Sequence, residues 1–136
     1  MLELDWQNQT KADLPPSAIK LHLESILTHL RSDDQDGLLD SDSGLLPITV
    51  PDTLKIEIAI MDDKEITKLN SRFRHQDAPT DVLSFENSDQ VNLLGSITIS
   101  AQTAARQAKS ANISLLDECR MLSGHGLLHL LGYSHH

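Results

Sequence analysis

Four of the chain's seven histidines fall within its last twelve residues, and their spacing constrains the fold more than any other feature. In His125-Gly-Leu-Leu-His129 the two histidines are four apart, so a helix projects both imidazoles from one face. Gly132 permits a positive φ and is expected to end that helix. Three residues later the chain can fold back and offer His135 as a third nitrogen, with His136 as the alternative. The segment reads as a metal site carried on the last helix.

The pattern H-x-x-x-H-x-x-G-x-x-H is the spacing of the metzincin zinc site. Three neutral imidazoles suit Zn²⁺ and leave a fourth tetrahedral position open, where a water has its pKa lowered to ~7. Zincin peptidases carry a glutamate directly after the first histidine as general base, and here that position is Gly126. The substitution weakens a peptidase reading and leaves a hydrolytic metal site intact. Two histidines at this spacing could simply decorate a leucine-rich core helix. A third, with a helix-ending glycine at the right offset, argues against that. Cys119 lies six residues before His125 on a different helical face and reads as a small core residue.

The chain of 136 residues has room for one domain, residues 1–136, and not for two full cores. No apolar run approaches the ~20 residues needed to span a bilayer, and the first residues lack the layout of a signal peptide. With a single cysteine, no internal disulfide forms, and the expected setting is reducing and cytoplasmic. Trp6, Phe73, Phe85 and Tyr133 are the only aromatics, too few for a stacking platform on single-stranded nucleic acid. A net charge of −9 argues against a broad electrostatic grip on RNA. Any RNA contact is therefore expected to be local, around Arg72, Arg74, Arg106 or Lys109.

Leu2, Leu4 and Trp6 alternate as on a half-buried strand, and Leu54 through Ile60 repeat the pattern. Pro15-Pro16-Ser17 opens a helix with Ile19, Leu23, Ile26, Leu27 and Leu30 at helical spacing; His22 and His29 ride on it as surface or boundary residues. Residues 31–44, rich in Asp, Ser and Gly, read as a solvated, disorder-prone acidic loop. Asp62-Asp63 can cap a helix that carries Ile66 and Leu69 and ends near Arg74, before the turn chemistry of Asp77-Ala78-Pro79-Thr80. Asp81–Phe85 and Leu93–Ile99 read as strands, Ser100 as the cap of an alanine-rich helix. Ser114 with Asp117 forms a capping box for the last helix. The expected class is α+β: a small mixed sheet of about four strands packed with helices, zincin-like.

The sequence resembles the YbeY endoribonuclease (rRNA maturation factor) family. Its H-G-x-L-H-L-x-G-Y-D-H signature is matched from His125 through His135, with Ser134 in the aspartate's place. Leu69-Asn70-x-x-Phe73-Arg74 and Pro79-Thr80-Asp81-Val82-Leu83-Ser84-Phe85 are similar to a second family stretch, and Leu94–Ser100 to a third, with Ser96 replacing an aspartate. The resemblance covers roughly residues 54–136. It implies a zinc-dependent, single-strand-specific endoribonuclease acting in 3′ end maturation of small-subunit (16S) rRNA and in ribosome quality control. It also implies that His125, His129 and His135 hold one zinc ion and that Arg74 is the catalytic arginine near it. Pre-rRNA and the small ribosomal subunit are the implied partners, with ribosomal proteins or a ribosome-assembly GTPase beside them; DNA and membrane are not. The family continues past the third histidine into an acidic helical tail, which this sequence is expected to lack. Two other readings stand beside it: a zinc metallopeptidase, and a non-catalytic ribosome-associated module with structural zinc.

Overall fold

The computed structural model describes residues 1–35, 50–87 and 93–133. Eight elements follow one another: β1 (Leu2–Asn8), α1 (Pro16–Gln35), β2 (Leu54–Met61), α2 (Asp63–Arg74), β3 (Val82–Glu86), β4 (Leu93–Ser100), α3 (Ala101–Ala111) and α4 (Leu115–Leu130). The four strands form one sheet in the order β1-β2-β4-β3, with β1, β2 and β4 parallel and β3 running antiparallel along the β4 edge. The class is thus α+β with a mixed four-stranded sheet, as the sequence pattern predicts.

Alternation decides which face each side chain takes. Ile56, Ile58, Ile60, Ile97 and Ile99 point to one face and are essentially inaccessible to water, each worth roughly 1.5–3 kcal/mol of burial. Against that face pack Ile19, Leu23 and Leu27 of α1 and Cys119, Leu122, Leu127 and Leu130 of α4. A smaller cluster of Met61, Ile66 and Leu83, with Leu69 and Phe85, secures α2 to the other face. Helix α4 therefore lies between α1, α3 and the β3–β4 edge.

The caps are those the residue types demand. Asp62 accepts from the Glu65 amide at 2.9 Å, Ser100 from Thr103 at 3.2 Å and Ser114 from Asp117 at 3.0 Å. The box expected at Ser114 differs on its return half, because the Asp117 carboxylate turns to Arg120 at 2.7 Å. Gly132 ends α4 with φ 99°; its amide bonds the His129 carbonyl and the Tyr133 amide bonds that of Leu128, the paired bonds of a Schellman turn. Residues 31–35, expected to open the acidic loop, are helical instead. Helix α1 continues through Gln35, with the Arg31 guanidinium reaching the carbonyls of Pro51 and Asp52. The remainder of that loop, 36–44, lies outside the described residues.

Candidate active site

Strand β3 and helices α2 and α4 meet around an open cleft of about 360 Å³. Helix α4 contributes His125 and His129, both exposed on its cleft side, which is the outcome of i, i+4 spacing on a helix whose other faces are packed. Between them Gly126 faces the sheet. A Cβ at that position would stand 3.0 Å from Cγ1 and Cγ2 of Ile97, so the helix backbone rests directly on β4.

Helix α2 delivers Arg74 from its last turn, and the turn after it is held by Asn70. That side chain is buried at 3% exposure and donates from Nδ2 to the Ala78 carbonyl at 2.9 Å. The Asn70 carbonyl also accepts from the amides of His75, which adopts the left-handed conformation at φ 57°, and Gln76. The Arg74 Nη2 then donates to the main-chain carbonyl of Ser84 at 3.3 Å. Of the four cations considered for RNA contact, Arg74 alone lines the cleft. Arg106 is engaged by the Asp63 carboxylate at 2.9 Å, and Arg72 lies 5.2 Å over the Phe73 ring.

Ser84 closes the arrangement. Its Oγ lies 2.8 Å from Nδ1 of His129, a hydrogen bond that holds the imidazole ring through that nitrogen. No carboxylate occurs among the described residues lining the cleft, although the chain carries a formal charge of −9. The site is thus a local island of donors on an acidic protein, suited to an anion.

The two described imidazoles, His125 and His129, are of the ligand type that a borderline metal such as zinc prefers. Among the described residues no group of three or more His, Cys, Asp or Glu could hold a metal ion. His135, the third expected ligand, its alternative His136, and Ser134 all lie outside the described residues. Cys119 is fully buried, and burial together with the Glu118 charge pushes its thiol up to about 11, so it offers no thiolate at neutral pH. Ser96 sits away from the cleft, donating to Glu57 at 3.0 Å across the opposite sheet face. The roles of Ser84 and Asn70 do not emerge from sequence reasoning. Their signal is a polar residue at a position whose neighbours in register are buried.

Comparison with known proteins places the chain. The family profile described as Endoribonuclease YbeY matches residues 42–136. The Endoribonuclease YbeY of Nautilia profundicola is 52% identical over 81 residues, 59% of this chain and 58% of that protein. That of Gloeobacter violaceus is 42% identical over 103 residues, 69% of this chain and 53% of the relative. A chloroplastic Endoribonuclease YBEY of Arabidopsis thaliana is 44% identical over 89 residues, 62% of this chain and 15% of the relative. The chain spans a little over half the length of the first two. The solution structure of TM1509 from Thermotoga maritima superposes with a TM-score of 0.53 at 25% identity, covering 100% of this chain and 75% of that one. No helix among the described residues is long and apolar enough to cross a membrane. The chain belongs to the endoribonuclease YbeY family.

Proposed function

We propose that this chain is a zinc-dependent, single-strand-specific endoribonuclease that acts in 3′ end maturation of small-subunit rRNA and in ribosome quality control, in a cytoplasmic setting. The observation that carries the reading is the cleft itself: one guanidinium and two imidazoles face it, without a carboxylate among its described lining residues. A phosphodiester is the anion such a site would take.

His125 and His129, with His135 as the third nitrogen, would hold the zinc through imidazole. Zinc held there would supply Lewis-acid charge for cleavage of a phosphodiester. Arg74 offers a planar fork for two phosphate oxygens, and the Ser84 carbonyl aims it. Asn70 keeps the following turn in place, so the guanidinium is presented from a fixed helix end. The cleft is open on one side, which suits an unpaired strand. A peptidase reading needs a glutamate base after the first histidine. The space beside Gly126 is filled by Ile97, so a side chain there points into the sheet. That geometry favours the nuclease.

The test sets unstructured RNA beside casein, each with and without chelator, and includes small-subunit precursor RNA as a third substrate. The expected result is chelator-sensitive cleavage of both RNAs and none of casein. Cleavage of casein, or RNA cleavage indifferent to chelator, would overturn the reading.

A further inference from the structure

Ser84 lies on the β3 edge strand, in register with Ile97 of β4, and so faces the same side as α4. An apolar residue would pack there, as Val82 does two positions earlier. Instead the Ser84 hydroxyl meets His129 Nδ1 at 2.8 Å, while its carbonyl, directed off the free edge of the sheet, receives Arg74 at 3.3 Å. One bond leaves from the face of the strand and the other from its edge, and they reach two different helices, α4 and α2.

We propose that Ser84 is the positioning residue of the site: its side chain orients His129 for the metal and its main chain registers Arg74 against it. The inference rests on the zinc-nuclease reading. A ligating histidine almost always donates its second ring N–H to an oxygen, which fixes both tautomer and ring angle. A serine hydroxyl can accept that proton, so Nδ1–H points to Ser84 and the Nε2 lone pair points into the cleft. Without the oxygen the ring is free to rotate about χ2 and to exchange tautomers. Arg74, held by a main-chain carbonyl, is indifferent to which side chain occupies position 84. Changes at 84 and 74 therefore separate: the first acts on metal affinity and the second does not.

Ser84→Thr and Ser84→Val test this, because both are β-branched, suit a strand and differ in a single oxygen. Zinc alone is the probe, titrated into the full chain against a chelating dye. Ser84→Val should bind zinc ~10–100-fold more weakly than wild type, the usual loss when a metal ligand's hydrogen-bond partner is removed. Ser84→Thr should stay close to wild type. Ser84→Ala, which removes the hydroxyl without adding bulk, should weaken zinc as Ser84→Val does. In nitrogen-15 spectra of the zinc-loaded protein, the Nδ1 proton of His129 should appear in wild type and Ser84→Thr and be lost or exchange-broadened in the other two. Equal zinc affinities for the valine and threonine variants would overturn the role of Ser84 and leave the nuclease reading standing. A wild-type chain that takes up no zinc would overturn both.

Discussion

Gly126→Ala measures how tightly the site's helix is seated. A methyl at this position would meet Ile97 Cγ1 and Cγ2 at 3.0 Å and Cδ1 at 3.1 Å, against ~3.5–4.0 Å for carbon atoms in good contact. Ile97 is wholly buried and cannot swing into solvent, so α4 or β4 has to yield by a few tenths of an ångström. Overpacking of this kind costs ~1–3 kcal/mol. Replacing glycine by alanine inside a helix recovers about 1 kcal/mol. The net expectation is a loss of up to ~2 kcal/mol, or up to about 8 °C in Tm for a chain of this size. Thermal and urea unfolding, followed by circular dichroism, read it directly. Ile97→Ala alone should cost ~2–5 kcal/mol through the cavity it leaves. In the double variant the new methyl enters that space, so the combined loss should fall short of the sum by ~0.5–3 kcal/mol. A Gly126→Ala protein more stable than wild type by the propensity gain, together with a strictly additive cycle, would refute the close seating. Gly126→Glu extends the argument to chemistry: its carboxylate would be driven into the Ile97 face, giving a destabilised chain without casein activity. A folded Gly126→Glu protein that cleaves casein would show that a side chain at position 126 turns into the cleft rather than against Ile97.

Arg74→Ala should abolish RNA cleavage with fold and zinc affinity unchanged, and Arg74→Lys should also be impaired, because an ammonium lacks the planar two-bond fork; full cleavage by Arg74→Ala removes the arginine from the mechanism. X-ray absorption of the zinc-loaded chain should show nitrogen neighbours at ~2.0–2.1 Å and no sulfur shell near ~2.3 Å, and Cys119→Ala should keep its metal. Asp63 should contribute acid-sensitive stability: burial pushes its carboxyl up, but hydrogen bonds from Ser100, Thr103 and Arg106 and the guanidinium charge outweigh this and hold it below 3.8. A depressed folded value gives stabilisation that is full well above 3.8 and is lost as pH falls through the lower folded value, so the deficit of Asp63→Asn against wild type in urea melts should shrink toward pH 3.

Local chemistry was legible wherever a residue acts on its own neighbours. Asp62, Ser100 and Ser114 name their helix starts because a side-chain oxygen three residues before an amide is sufficient to cap it. Gly132 names the end of α4 because a left-handed turn is needed there. The end of α1 was not legible in the same way. Asp, Ser and Gln after Leu30 favour a loop by propensity, yet the helix runs on to Gln35, with Arg31 bound to carbonyls twenty and twenty-one positions later. A tertiary bond of that kind leaves no trace in the pattern around residue 31. The same limit hid Ser84, whose partner His129 lies forty-five positions away.

Three residues that break the apolar pattern nevertheless share one location. Asn70 falls one turn after Ile66 on the buried stripe of α2, where a leucine would serve packing. Ser84 stands on the α4 side of β3, paired with the buried Ile97, and Gly126 sits inside a helix, where propensity alone disfavours glycine. All three line the cleft that holds Arg74, His125 and His129. Each departure has a separate physical cause: a turn to latch, a ring to hold and a helix to bring close. None of these causes improves the core. At these three positions local preference gives way to the geometry of the cleft. Asn70, Ser84 and Gly126 thus join the cleft to the fold through packing and hydrogen bonds, while the histidine spacing marks it in the sequence.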